Sequence, residues 1–293
     1  MSASKVDLLI LGAGWTSTFL IPLCHKRQIS FAATSRPGSH KPDTIPFEFD
    51  PHSDDITPFE ILPDAKTVLI TFPIKVKGAS ERLVRLYQKT RQDVLVNVDG
   101  GTVNPAFIQL GSTGIWDGGP TIQEKRGVWI DRHSVFDISN DRAAAEEELL
   151  KLAPSTPTTV LNLCGLWGGM RSIKNIVPRV ATSKELLRNK GSIHMIHGED
   201  VSRAILAVHE QFNKANGERW ILTDGRVYDW WDIAAAWGGN AEDHSPQAKW
   251  VRELMIESDV RALPRSVEVL GKGLDGRDFW VTFGLDPVQA RLG

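Results

Sequence analysis

Six residues near the N-terminus, Gly12-Ala13-Gly14-Trp15-Thr16-Ser17, have the spacing G-x-G-x-x-small, with Ser17 where a third glycine usually stands. Glycines at the first two positions let a backbone turn tightly and approach a diphosphate, and the residues behind them can open a helix whose first amides point at the anion. Given a strand before it and a helix after it, the loop predicts dinucleotide binding through Gly12, Gly14, Trp15, Thr16 and Ser17; the alternative is a tight turn with no ligand. About 20 residues further on, a carboxylate would hold the ribose of NAD. This chain has Thr34-Ser35-Arg36 there. A guanidinium suits a 2′-phosphate, so Ser35 and Arg36 predict NADP ahead of NAD, unless Arg36 is only a solvated loop residue. Phe72 and Pro73, at the end of a later apolar run, complete the expected cofactor contacts.

Acid-base candidates are few. His133 stands in a loop, Asp131-Arg132-His133-Ser134, and His194 and His197 flank a strand and a helix start. His194-Met195-Ile196-His197 would need further ligands to hold a metal, and no other spacing suggests one. Cys24 and Cys164 lie far apart and outside any CxxC pattern, which predicts neither a disulfide framework nor a zinc site, and a reducing, cytoplasmic setting.

The elements that must position these residues alternate. Residues 6–11 are a nearly continuous apolar run, as expected of a strand buried on both faces of a parallel sheet. A helix over 16–27 follows, with Pro22 predicting a kink or a late start. Strands are expected over 29–34, 46–49 and 67–72, and a helix over 79–92. Segments 94–96 and 106–110 both read as strands but lie too close for a helix between them, so one should be irregular. A helix over 140–152, capped by Asn140 or Ser139, leads to a strand over 158–163. Beyond a glycine-rich turn (Gly165, Gly168, Gly169) come a helix over 199–214, a strand over 219–222 and a Trp-rich helix over 228–237. The order predicts an α/β fold: a doubly wound parallel Rossmann sheet in residues 1–165, and in 166–293 a mixed segment that returns strands to the core and forms a small substrate-facing subdomain.

The chain has 293 residues, 41% of them hydrophobic and 24% charged, with Lys+Arg 34 against Asp+Glu 36. This is the balance of an ordinary globular protein and excludes disorder and collagen-like repeats. Basic residues are scattered, so no nucleic-acid partner is expected. The longest apolar stretch near the N-terminus is far short of the roughly 20 residues of a membrane span, and it runs into a glycine turn instead of a cleavage site. Neither an anchor nor a secretory signal is expected.

Four stretches, in order, resemble one family. Besides Gly12-Ala13-Gly14, Gly111-Ser112-Thr113-Gly114-Ile115-Trp116 is similar to its S-S-T-x-V-Y-G segment. Cys164-Gly165-Leu166-Trp167-Gly168-Gly169 is similar to its x-G-I-Y-G-P turn, and Ile196-His197-Gly198-Glu199-Asp200-Val201 to its I-H-V-D-D-V helix start. From the first strand to about residue 240 the chain resembles the extended, and more closely the atypical, short-chain dehydrogenase/reductases of the NAD-dependent epimerase/dehydratase class. The resemblance implies an oxidoreductase on a small carbonyl or hydroxyl substrate, with which a homodimer is compatible.

It also exposes a departure. Where the family has Y-x-x-x-K followed four residues later by Glu, the spacing to Glu146 gives Ile138 and Arg142. Ile138 cannot transfer a proton, and Arg142 keeps the charge but has no titratable amine. The only tyrosines are Tyr87 and Tyr228. The resemblance leaves Ser112, Thr113 and Arg142 as catalytic candidates, with His133 as a loop residue that could swing in, and Trp15, Trp116 and Trp167 as pocket walls. The alternative function is a cofactor-binding member without hydride chemistry: a cofactor-sensing regulator, or a non-redox isomerase or cyclase.

Overall fold

The protein is described by a computed structural model over residues 5–39, 41–91, 104–118, 128–237 and 246–289. Its centre is a seven-stranded, all-parallel sheet. The strands are β1 (Val6–Leu11), β2 (Phe31–Ser35), β3 (Ile45–Pro46), β4 (Ala65–Ile70), β5 (Ala106–Ser112), β7 (Thr158–Leu163) and β11 (Arg219–Leu222), in the order β11-β7-β5-β4-β1-β2-β3. Side chains alternate between the two faces. Leu8 and Ile10 join the core under α1 (Ser17–Arg27) and α4 (Gly198–Glu210), whereas Leu9 and Leu11 join the core under α2 (Ala79–Lys89) and α3 (Asp141–Leu150). Burial on both faces is why these strands read as unbroken apolar runs.

A third core gathers Val177, Leu187, Met195, Trp230, Trp231, Val251 and Leu254, with α5 (Trp230–Trp237) packed on α6 (Gln247–Glu257). Two small strand pairs border it, β8 (Gly165–Trp167) with β10 (Met195–His197) and β9 (Ser192–Ile193) with β12 (Tyr228–Asp229), while β6 (Val128–Ile130) with β13 (Lys272–Leu274) packs on the core under α1 and α4. The segment beyond residue 165 thus forms this lobe and also supplies the outer strand β11. The last helix, α7 (Arg277–Phe283), covers β11 through Phe279 and Phe283 against Trp220.

Several expectations shift. Pro22 is accommodated inside α1, which begins at Ser17 and runs on to Arg27. The short strand is Ile45–Pro46, not 46–49, and Phe47 beyond it turns into the core against Phe59, ring centroids 5.2 Å apart. Residues 106–110 belong to the central strand β5; segment 94–96 lies outside the described residues. The helix expected to end at 214 ends at Glu210, followed by a separate turn at Phe212–Lys214. The Trp-rich helix starts at Trp230, because Tyr228–Asp229 pairs antiparallel with Ser192–Ile193 and the Asp229 carboxylate accepts the Trp231 amide at 2.8 Å. Among the described residues no helix is long and apolar enough to cross a membrane.

Candidate active site

The strand order reverses at β1, whose neighbours are β2 and β4. In such sheets a crevice opens there, outside the carboxyl ends of the strands. A cleft of about 840 Å³ occupies that place, and its floor is the glycine loop. Gly12 has φ +96°, and a Cβ on it would stand 2.6 Å from Thr71 Oγ1, so only glycine fits. Thr34 ties the loop to β2: its Oγ1 accepts the Gly12 amide at 2.9 Å and its carbonyl the Ala13 amide at 2.6 Å. A Cβ on Gly14 would approach only Gly12 O, at 3.9 Å, which leaves the loop open on its cleft side. Helix α1 then begins with no capping side chain and no acid in its first turn. Thr18 and Phe19 already donate to the Trp15 and Thr16 carbonyls, so it is the amides of Trp15, Thr16 and Ser17, behind an open glycine loop, that fit the diphosphate of a dinucleotide. Trp15 and Thr16 line the cleft; Ser17 is buried beneath it, with its hydroxyl unpartnered.

At the β2 end, Ser35 and Arg36 line the cleft as expected, joined by two residues that the sequence reading missed, Ser39 and Lys41. Ser39 Oγ donates to Ser35 Oγ at 2.7 Å, and the Lys41 ammonium donates to the Ala13 carbonyl. The only signal for them was a short basic, hydroxyl-bearing loop after β2. Among the described residues Glu48 is the one carboxylate on the lining. Phe72 and Pro73 also line the cleft, with the Phe72 ring stacked on Phe49 at 6.2 Å.

At the β5 end stands Ser112. Its backbone is extended, and its Oγ accepts the Gly114 amide at 3.1 Å, capping the turn Thr113–Trp116. Its amide donates to Glu146 Oε1 at 3.2 Å. Glu146 is buried; it accepts Asn162 Nδ2 at 2.7 Å and Arg219 Nη1 at 3.1 Å, and Arg142 Nε lies 3.6 Å away. Burial pushes the Glu146 carboxyl up, and these donors oppose the shift. Arg142 lines the cleft and donates to the Leu110 carbonyl at 3.2 Å, its guanidinium lowered by burial. Asn162 and Arg219 escaped the sequence reading because nothing local marks them.

Other candidates are not brought to the cleft. Thr113 is buried and donates to the Leu163 carbonyl at 3.4 Å. His133 is exposed on its loop, where its amide is held by Asp131 Oδ1 at 3.0 Å. Ile138 is 59% exposed on the turn before α3, so a side chain there points to water. Trp116 is core, its indole donating to Ser134 O at 2.9 Å, and Trp167 packs against the His197 ring at 4.6 Å; of the three tryptophans only Trp15 lines the cleft. His197 Nδ1 accepts the Glu199 amide at 3.2 Å and caps α4. His194 is buried, and its Nε2 accepts the Leu274 amide at 2.9 Å.

No family model matches the chain, and no curated protein matches it in sequence. Solved structures do match it in shape. A protein assigned as an NAD-dependent epimerase/dehydratase from Methylobacillus flagellatus is similar at 15% identity and TM-score 0.62, over 98% of this chain and 95% of its own. RMD from Pseudomonas aeruginosa, solved with NADPH, is similar at 11% identity and TM-score 0.56, over 96% of this chain and 94% of its own. WbmH from Bordetella bronchiseptica, solved with NAD+, is similar at 13% identity and TM-score 0.57, over 96% of this chain and 92% of its own. This chain therefore has the Rossmann-type fold shared by the NAD-dependent epimerase/dehydratase class of short-chain dehydrogenase/reductases.

Proposed function

We propose that the cleft binds NADP(H) and that the protein is an oxidoreductase acting on a small carbonyl or hydroxyl compound. The observation that carries this reading is the rim at the end of β2. Arg36 and Lys41 stand there beside the hydroxyls of Ser35 and Ser39, a set that suits a phosphate dianion better than a sugar hydroxyl. The bound nicotinamide would supply or take the hydride. The chain's own part is to hold the diphosphate on the α1 amides and to present the Ser112 hydroxyl, whose oxygen already accepts the Gly114 amide and whose hydrogen is free for a substrate oxygen. Arg142 behind it adds a fixed positive charge where negative charge would develop. Among the described residues the lining has no Tyr or His, which favours a second reading, a cofactor-binding protein without hydride chemistry.

Titration with NADPH and NADH, followed by tryptophan fluorescence, tests the cofactor assignment. Arg36→Ala should weaken NADPH by about ten- to a hundredfold, the worth of one charge-assisted contact to phosphate, and leave NADH nearly unchanged. Equal losses for both cofactors would refute it. A panel of aldehydes and ketones supplied to the NADPH-loaded protein then separates the two readings: binding without turnover selects the second.

A further inference from the structure

Among the described residues four cations line the cleft, and two of them are engaged: Lys41 with the Ala13 carbonyl, Arg142 with the Leu110 carbonyl. The guanidiniums of Arg36 and Arg171 bond to no protein oxygen among the described residues. They approach from opposite sides, Arg36 from the end of β2 and Arg171 from the turn that follows β7 and β8.

Arg171 is held on a built platform. Its Cζ lies 4.6 Å from the centroid of the Trp15 ring. That ring is fixed in turn by its Nε1 donating to Gly168 O at 3.2 Å and by the edge of Phe19 at 5.0 Å. The turn closes on itself, Gly168 N donating to Arg171 O at 2.9 Å and Arg171 N to Gly168 O at 3.1 Å. It is also locked from below: Gly168 has φ +107°, and a Cβ on it would stand 2.1 Å from His197 Nε2. Leu163, Cys164 and Leu166 line this side of the cleft beside Arg171, which is exposed to solvent.

The anions of NADP(H) have places elsewhere, the diphosphate on the α1 amides and the 2′-phosphate at Arg36. The nicotinamide end carries no negative charge, and its oxidised ring is positive. Arg171 stands on Trp15, across the cleft from Arg36 and beside Leu163, Cys164 and Leu166, and is a cation that neither of these two cofactor sites uses. We infer that Arg171, stacked on Trp15, binds an anionic group of the substrate, a carboxylate or a phosphate ester, so that the protein selects anionic carbonyl compounds over neutral ones. This inference rests on the assignment of the glycine loop and Arg36 to NADP(H).

The test uses the whole protein, with and without saturating NADP+, titrated calorimetrically with oxamate, with inorganic phosphate, and with neutral oxamide as control. One of the two anions should bind and oxamide should not; which anion binds tells carboxylate from phosphate. Arg171→Met, which keeps an unbranched chain on the Trp15 ring, should weaken that anion by about tenfold or more, and Arg171→Lys should restore part of the loss. NADPH affinity should change less than about twofold, well under the tenfold that one lost phosphate contact represents. The inference is overturned if neither anion binds better than oxamide, or if Arg171→Met weakens NADPH as much as the anion, which would place Arg171 on the diphosphate. Failure of the cofactor reading shows separately, as no NADPH binding by the unmodified protein, and the titrations without cofactor still decide the role of Arg171.

Discussion

Ser112 Oγ closes the turn that follows β5, and the residue lines the cleft, where the proposed function makes its hydroxyl a donor to the substrate oxygen. Ser112→Ala should therefore reduce turnover by about 10²–10³-fold, the usual cost of removing a donor to developing negative charge, while leaving NADPH affinity intact. Turnover equal to the parent's would remove Ser112 from the reaction. Introducing Tyr at position 138 supplies no substitute proton donor, since that side chain stands in solvent. At this scale the sequence was legible where chemistry and neighbourhood coincide: Gly12, Gly14 and Arg36 are marked by the strand and helix that flank them. Lys41 was marked only by a short basic loop after β2, and Arg171 and the Glu146–Arg219 pair were not legible, because each is brought to its place by contacts far along the chain.

Helices and strands were readable in proportion to their burial. Strands β1, β7 and β11 are buried on both faces and carry apolar runs that announce them, whereas β3, β9 and β12 are two residues each and depend on partners that only the folded chain supplies. The cap of α3 was legible because Asn140 Oδ1 accepts the Arg142 and Ala143 amides, a purely local device. The link between β10 and β13 was not, and it has a consequence for pH. His194 precedes β10 and accepts the Leu274 amide of β13, which requires a neutral ring; burial lowers its pKa to about 4 from an ordinary 6.5. A histidine whose folded pKa is depressed takes up its proton more readily when unfolded. Stability from this site is complete above pH 6.5 and is lost as pH falls toward 4, by on the order of 3 kcal/mol. Urea unfolding at a series of pH values should show that decline, and His194→Gln should flatten it. An unchanged slope in the variant would assign the acid sensitivity to other groups.

The molecule as a whole is assembled from distant parts of the chain. Trp15 reaches Gly168 across 153 positions, and the buried Glu146 meets Arg219 across 73. During synthesis the N-terminal strands emerge first and can pair, yet β7 remains an open edge and Glu146 lacks its Arg219 partner, with Arg142 as its remaining cation, until β11 leaves the ribosome. Unpaired strand edges and charges short of a partner are the features that make incomplete chains adhere to one another or to chaperones. A chain arrested just before Arg219 should therefore be cleaved readily by protease and fail to retain NADPH, whereas release of the remaining residues should confer both protection and retention together; protection appearing earlier would show that the N-terminal half matures alone. The late arrival of one outer strand thus sets a timetable for the nascent protein, in which the proposed capacity to hold cofactor follows the pairing of β11 with β7.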